Sequence, residues 1–348
     1  CALRSVQHAL TGAEHNATPA PYPLDPERVA HLRRAPDRGA RLVETPGWVE
    51  VHARIAEAGG WSPANLTVAV GEPLRLRLIS DDMLHGFAVG QSDAPALDLP
   101  AGQSVETTLI FDEPGKVVFY CTRWCGLGHW RMRGTIEVTG NLSATATPAE
   151  PPLYTRLGID IDEPVTVAPA DLPGQTPSAA RASTLTVPEL AGEWARSQSP
   201  VAVWRELRQD PALAQLSDAA VWDLVAQMWQ SQTDATTLAE GRALYAANCA
   251  ACHGEQGNGD GIAARALLAR EQAAQLAFGH GTLAPTDFTD PALMLGVNGA
   301  RLQGKILRGG MGTGMPYWGP IFTDAQTWAL VDFLWTFAFD YEPGVEQP

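Results

Sequence analysis

The chain has 348 residues, and its 39 Asp and Glu against 24 Lys and Arg give a net charge of −15. That balance argues against nucleic acid or an anionic surface as the main partner and favours a basic partner. The length suits two or three domains, and a hydrophobic content of 45% is sufficient for folded cores rather than wholesale disorder.

Residues 1–45 are rich in Pro, Ala and Arg and are predicted to form an extended N-terminal arm. The arm begins with Cys1, which resembles the lipid-bearing first residue of a mature bacterial lipoprotein. The alternative is an arbitrary end of the sequence. No run of 18 or more apolar residues occurs, so we expect a lipid anchor at Cys1 rather than a membrane span.

Residues 46–140 contain short β-type runs separated by turns such as "VGEP", "LPAGQ" and "DEPGK". Many short strands with turn signals between them predict an all-β sandwich or barrel. The runs are 48–55, 66–70, 74–80, 85–89, 105–111, 116–121 and 134–139.

The rest of the chain divides into two predicted segments. Residues 141–232 begin with a stretch dominated by Pro, Ala, Ser and Thr, which predicts a linker that ends in a helical segment. Residues 233–348 are predicted to form a helical domain that closes with a helix at 324–337. The sequences at 216–229 and 322–335 are similar, and we interpret them as two amphipathic helices of similar build with Ser or Thr as N-cap.

The segment "YCTRWCGLGHWRMRG" (120–134) concentrates two cysteines, a histidine and a methionine. A disulfide or a structural zinc site is the plainest alternative for two cysteines four residues apart. Methionine is not an ordinary zinc ligand, whereas thioether, thiolate and imidazole together favour copper. Cys125, His129 and Met132 have the C-x3-H-x2-M spacing of a blue-copper site with one copper ion.

Such a site needs a second histidine upstream, and His85 in "DDMLHGF" is the predicted ligand. The only other histidine of the β region, His52, is expected on a strand surface. Cys121 has no role in a site for one copper, but it is what a pair of bridging thiolates requires. Two coppers that share two thiolates delocalise one electron, which suits rapid electron transfer.

The pattern C-x3-C-x3-H-x2-M with an upstream D-x-x-H-G-F resembles the binuclear CuA domain over roughly residues 48–140. That cupredoxin-like sandwich occurs in subunit II of haem-copper oxidases, in nitrous oxide reductase and in some nitric oxide reductases. The resemblance implies that Cys121 and Cys125 bridge the coppers and that His85 and His129 each bind one. It also implies that Met132 caps one copper and the backbone carbonyl of Arg123 the other. Arg123 stands where oxidase subunits II usually have Glu, which changes the charge beside the site.

"CAACH" (249–253) is the C-x-x-C-H attachment motif of c-type haem. Cys249 and Cys252 would bond to the porphyrin vinyl groups, and His253 would take one axial position. The surrounding "GRALYAANCAACHGEQGNGDG" resembles class I cytochrome c, which implies a distal methionine well downstream. Met315 in "GMP" is the predicted ligand and Met311 is the alternative.

A CuA domain fused to a cytochrome c domain resembles the extended subunit II of bacterial haem-copper oxidases. The resemblance implies an electron-entry subunit of a cytochrome c oxidase on the extracytoplasmic face of the membrane. Its implied partners are a membrane-embedded haem-copper catalytic subunit that reduces oxygen and a soluble cytochrome c or other electron donor. The alternatives are the same relay in a CuA-type nitric oxide reductase and a free-standing, lipid-anchored electron carrier.

Overall fold

A computed structural model describes residues 3–5, 47–92, 94–126, 128–141, 150–165, 167–182, 192–266, 284–310 and 315–341. The chain divides into two compact units, residues 1–147 and 148–348. The predicted lipidation site Cys1 and the alternative haem ligand Met311 lie outside the described residues. None of the helices in the described ranges is both long enough and apolar enough to cross a lipid bilayer.

The first unit is a sandwich of two sheets, which confirms the predicted all-β class. One sheet has the strand order β1-β8-β5-β2-β3 and the other β4-β10-β9-β6-β7. The pairs β2–β5 and β4–β10 are parallel, and the other described pairs are antiparallel. The strands are β1 Leu3–Ser5, β2 Val49–Ala53, β3 Trp61–Ser62, β4 Asn65–Ala69, β5 Leu74–Ser80, β6 His85–Val89, β7 Leu97–Leu99, β8 Ser104–Phe111, β9 Gly115–Tyr120 and β10 Arg133–Thr139.

Alternating side chains place the core between the two sheets. In β5, "LRLRLIS", leucines point inward and arginines outward, so that Leu76 and Leu78 are fully buried. An aromatic cluster of Trp61, Phe87 and Phe119 packs edge-on and tilted, with ring centroids 5.5–5.8 Å apart. Buried aromatic pairs of this kind contribute about 0.5–1.5 kcal/mol each beyond the burial of their area. The cluster therefore gives a rigid base for the loops above it.

The second unit is built from helices. They are α1 Leu153–Arg156, α2 Ala179–Ala182, α3 Gly192–Ser197, α4 Pro200–Gln209, α5 Asp218–Gln230, α6 Ala235–Asn248, α7 Ala250–His253, α8 Pro291–Met294, α9 Gly299–Arg308 and α10 Asp324–Leu334. Ser217 caps α5, and Thr323 caps α10 in a capping box, as the repeated sequence pattern predicts. A 3-10 turn, Trp335–Phe337, extends α10.

Helices N-terminal to the predicted cytochrome domain pack onto it. Helices α1 and α3 contact α9, and Trp229 of α5 meets Trp335 at a centroid distance of 6.0 Å. Buried Asp223 of α5 accepts hydrogen bonds from the backbone of Ser178 and from the guanidinium of Arg181. The predicted boundary at residue 232 stays a prediction, but residues 150–232 include packed helices as well as linker.

Glycine at position 241 allows α6 and α10 to cross at close range. A Cβ there would lie 2.1 Å from the Ala329 carbonyl oxygen and 2.7 Å from the Phe333 Cβ. We expect Gly241→Ala to lower the free energy of unfolding by about 2 kcal/mol, because overpacking against backbone exceeds the gain in helix propensity. Gly174→Ala is the matched control, since nothing lies within 4 Å of its Cβ position. Equal urea midpoints for the two variants would contradict this helix crossing.

Asp332 of α10 gives the second unit a pH-dependent stability. Burial raises the pKa of Asp332, Arg196 and the Thr233 hydroxyl oppose it, and nearby Asp234 adds a smaller upward shift, so that the pKa is about 7. Between about pH 4 and about pH 7 the folded state therefore holds a proton that the unfolded state has released, so stability falls as pH rises. We expect Asp332→Asn to flatten this dependence and to stabilise the protein by about 2 kcal/mol at pH 8. Thermal unfolding from pH 4 to pH 8 measures it, and parallel curves for variant and wild type would refute the assignment.

Candidate metal centres

The loop between β9 and β10 holds most of the predicted copper ligands. Cys121 directly follows β9, and Met132 directly precedes β10. The Met132 carbonyl accepts hydrogen bonds from the Cys121 backbone N–H and from the Trp61 indole, both at 3.0 Å. Because both ends of the loop are fixed to the sandwich and to its aromatic core, the donor atoms between them are held in place.

The predicted side chains converge on one buried site. Cys121 Sγ lies 3.9 Å from Cys125 Sγ and 3.7 Å from His85 Nδ1. Cys125 Sγ lies 3.4 Å from His129 Nδ1 and 3.1 Å from Met132 Sδ. All five side chains are at most 6% exposed. The structure thus brings together two thiols, two imidazole nitrogens and a thioether.

The backbone carbonyl of Arg123 faces the same site. Its oxygen lies 3.2 Å from Cys121 Sγ, and the Arg123 side chain points away to Asp98. A carbonyl oxygen is a donor that any residue type supplies, so arginine at this position leaves the donor set complete.

Asp82 orients His85. Its carboxylate lies 2.6 Å from His85 Nε2 and also accepts the backbone N–H of Ile55 and Met83. Burial opposes ionisation, but the hydrogen bonds hold the pKa of Asp82 below its usual range. Nε2 therefore carries the proton and donates it, which leaves the Nδ1 lone pair for a metal. Burial lowers the pKa of His85, but its hydrogen bonds with Asp82 and Cys121 outweigh burial and raise it to about 9. A metal that binds Nδ1 would therefore displace a proton from this nitrogen at neutral pH.

The two thiols fit a metal and do not fit a disulfide. A separation of 3.9 Å is far above the S–S bond length of about 2.05 Å, while one metal ion at about 2.3 Å from each sulfur reaches both. Their mutual hydrogen bond lowers the pKa of Cys121 and raises the pKa of Cys125, because the buried pair without a cation retains one proton. Two thiolates at this site require positive charge, which a bound copper ion would supply.

Several residues that the sequence pattern did not single out lie beside the site. Asp82 is the first residue of the D-x-x-H-G-F pattern. The sequence therefore places Asp82 near His85 in the chain, but it does not show that the two side chains form a hydrogen bond. Trp124 is 38% exposed, and its ring centroid lies 5.7 Å from that of His129. Asp98 and Trp61 contact the loop although they lie far from it in the sequence, and no local sequence pattern predicts these contacts. His52 lies on β2 and meets Asp81 at 2.8 Å, as expected for a strand-surface residue.

The haem motif lies at the junction of α6 and α7. Cys249 separates the two helices, and Cys252 and His253 lie on α7. Tyr245 of α6 donates a hydrogen bond to the Gly254 carbonyl at 2.7 Å, which fixes the turn after the motif. Burial raises the pKa of Cys249 to about 12 and also raises that of Cys252, so both thiols stay protonated at neutral pH.

His253 is oriented for axial ligation. Its Nδ1 lies 3.1 Å from the Thr286 carbonyl oxygen, and its ring stacks on Phe288 with centroids 4.6 Å apart. Burial lowers the pKa of His253, which favours the neutral ring with the proton on Nδ1. Nε2 is then available to an iron. The residues present therefore fit a c-type haem.

Met315 lies in the segment between α9 and α10. Its carbonyl accepts a hydrogen bond from the Gly310 backbone at 3.2 Å, which holds this segment against the end of α9. The alternative Met311 lies outside the described residues. The choice of Met315 as axial ligand stays a prediction.

Comparisons with known proteins cover both units. A family model described as cytochrome c matches residues 238–338. A cytochrome c oxidase subunit 2 of Thermus thermophilus is 32% identical over 135 residues, which span 37% of this chain and 98% of that protein. A second, longer subunit 2 from the same species is 32% identical over 135 residues, which span 79% of its length.

Two solved structures align with low scores. The periplasmic domain of subunit II of cytochrome oxidase of Bradyrhizobium japonicum aligns over 29% of this chain and 88% of that one, with 16% identity and a TM-score of 0.24. Auracyanin B aligns over 28% of this chain and 92% of its own chain, with 23% identity and a TM-score of 0.22. TM-scores this low carry no argument. The sequence relatives do, because nearly the whole length of one of them is matched. The chain belongs to the cytochrome c oxidase subunit 2 family, part of an oxidoreductase complex, and carries a cytochrome c domain in addition.

Proposed function

We propose that the chain is the electron-entry subunit of a respiratory cytochrome c oxidase. In this proposal it takes electrons from a soluble donor through a covalent haem c and a binuclear CuA site. It delivers them to a membrane-embedded haem-copper subunit that reduces oxygen. The observation that carries the proposal is the convergence of two thiols, two imidazoles and a thioether at one buried site between strand β6 and the loop that follows β9.

The copper residues act by holding fixed positions. Cys121 and Cys125 would bridge the two coppers, His85 and His129 would bind one each, and Met132 and the Arg123 carbonyl would cap them. The loop is fixed to the sandwich at both ends, and Asp82 fixes the His85 ring, so the donors have little freedom to rearrange. A site that rearranges little has a small reorganisation energy, which favours fast transfer.

The residues proposed to bind haem in the second unit also act by holding fixed positions. Cys249 and Cys252 would attach the porphyrin, and His253 and Met315 would provide the two axial ligands. Thr286 and Phe288 hold the His253 ring in its orientation. When bound, the haem iron and the copper pair each take up and release a single electron. With His253 and Met315 both bound to it, the haem would offer no open position to a substrate, which agrees with a relay rather than a catalytic centre.

The partners follow from charge and chemistry. The chain carries a net charge of −15, which favours a donor with a basic surface. Covalent haem c and subunit II both suit the extracytoplasmic side of a bacterial membrane. Oxygen reduction would belong to the membrane subunit, since the two centres proposed for this chain handle one electron each.

Purification of the native complex through this chain tests the proposal. We expect a polytopic haem-copper subunit to copurify and the complex to turn over oxygen with a reduced cytochrome c as donor. The Cys121→Ser complex should assemble but lose most of this turnover. Turnover of nitric oxide in place of oxygen would reassign the chain to a nitric oxide reductase. Isolation without any catalytic subunit would make it a free-standing carrier.

A further inference from the structure

Arg123 and Asp98 form a two-pronged ion pair at the rim of the copper loop. Arg123 Nε donates to Asp98 Oδ1 at 2.7 Å, and Arg123 Nη2 donates to Asp98 Oδ2 at 2.8 Å. Both side chains are about half exposed. A two-pronged pair between arginine and a carboxylate fixes the orientation of both side chains, while its exposure limits what it adds to the stability of the fold.

The pair connects the two chain segments that carry the copper donors. Arg123 lies in the loop between Cys121 and Cys125, whereas Asp98 lies on β7. Strand β7 pairs with β6, the strand of His85, and Asp98 is directly opposite Gly86. The Gly86 backbone N–H in turn lies 3.5 Å from Cys121 Sγ. The ion pair thus closes a ring of contacts around the donors from outside.

The loop has little freedom to move where it faces strand β6. A Cβ at Gly86 would lie 2.0 Å from the Thr122 Oγ1, so loop and strand are in direct contact one residue before Arg123. With Thr122 packed on β6 and the Arg123 side chain bound to β7, the Arg123 peptide is held at both of its sides. Its carbonyl oxygen then points inward, 3.2 Å from Cys121 Sγ.

We infer that the Arg123–Asp98 pair is a clamp that positions the Arg123 carbonyl for copper and offsets the arginine charge beside the site. The inference rests on the proposed copper function. A positive charge near a redox centre favours its reduced form, and the opposite charge of Asp98 close by offsets that effect. Arg123 and Asp98 are positioning residues, because neither side chain touches the metal donors.

Copper retention and reduction potential test the clamp on the purified, copper-loaded chain. We expect Arg123→Gln and Asp98→Asn each to release copper to a chelator about tenfold faster, as for other outer-sphere partners of metal ligands. The reduction potential of the copper site should rise in Asp98→Asn, where the arginine is left alone. It should fall in Arg123→Gln, where the aspartate is left alone.

Further variants separate geometry from charge and from general damage. Arg123→Lys keeps the positive charge but loses the pair of parallel hydrogen bonds to Asp98. Copper release should therefore accelerate, while the reduction potential should stay near that of the wild type. The exchange of both residues, Arg123→Asp with Asp98→Arg, should restore slow release. Arg77→Gln is the matched control, because it breaks an ion pair with Glu106 between β5 and β8 of the other sheet.

Two failures are distinguishable. If the wild-type chain binds two coppers and the Arg123 and Asp98 variants match Arg77→Gln in release rate and potential, the clamp is refuted and the proposed function stands. If both potentials shift in the same direction, the charge offset is refuted. A wild-type chain that binds no copper overturns the proposed function and the clamp with it.

Discussion

Replacing Cys121 by serine is expected to turn the copper site from a binuclear into a mononuclear one. The variant keeps His85, Cys125, His129 and Met132, which together form the donor set of a blue-copper site. Cys121 Sγ lies 3.7 Å from His85 Nδ1 and 3.9 Å from Cys125 Sγ, so its loss removes the sulfur that would join the two halves. Copper content should fall from about two ions to about one per chain.

Electron paramagnetic resonance distinguishes the two sites. The wild-type signal should show one unpaired electron shared by two copper nuclei, and the variant signal an electron on a single nucleus. Met83→Leu is a suitable control, since Met83 packs partly buried against the same core but supplies no donor. A Cys121→Ser chain that keeps the shared-electron signal would disprove the bridging role. A variant with no copper at all would show that serine destroys the whole site.

Replacing Met315 by leucine is expected to remove the distal axial ligand of the haem. The iron should then change from low spin to high spin in the oxidised protein. Its reduction potential should drop by a few tenths of a volt, within the roughly 0.8 V range that axial ligands span. Loss of the sulfur-to-iron charge-transfer absorption band gives the first readout, and redox titration gives the second.

Two methionines provide controls for this result. Met294 is buried in α8, so Met294→Leu changes packing alone and should leave the haem spectrum unchanged. Met311→Leu tests the alternative ligand directly. If Met311→Leu loses the absorption band and Met315→Leu keeps it, the axial assignment moves to Met311.

The sequence predicted the parts of the copper loop that are close together in the chain. Cys121, Cys125, His129 and Met132 span one loop, so their spacing alone brings them to one place. His85 was predictable because, apart from His129 of the loop itself, the β region contains only one other histidine, His52. Asp82 and Asp98 reach the site through the pairing of β6 with β7 and the turn before β6. Strands β3 and β7 have two and three residues, too few for a period-2 pattern to show.

The helices before the haem motif show a different limit. The composition of residues 141–200 predicts a linker, and nothing local indicates that α1 and α3 contact α9. Pairs far apart in sequence also join the segment after α1 to α9, such as the Arg301 guanidinium with the Asp160 carbonyl and Lys305 with Asp162 at 2.8 Å. The similar sequences of α5 and α10 did predict two helices with the same caps, because capping is a local interaction.

Transfer of an electron between the two centres of the purified chain tests the relay most directly. The haem is reduced in a rapid pulse, and its absorbance and that of the oxidised copper site are followed together. We expect the haem to be reoxidised as the copper absorbance bleaches, at a rate independent of protein concentration, and we expect Cys121→Ser to alter this phase. A haem that stays reduced beside an oxidised copper site, or a rate proportional to protein concentration, would contradict a relay within one chain.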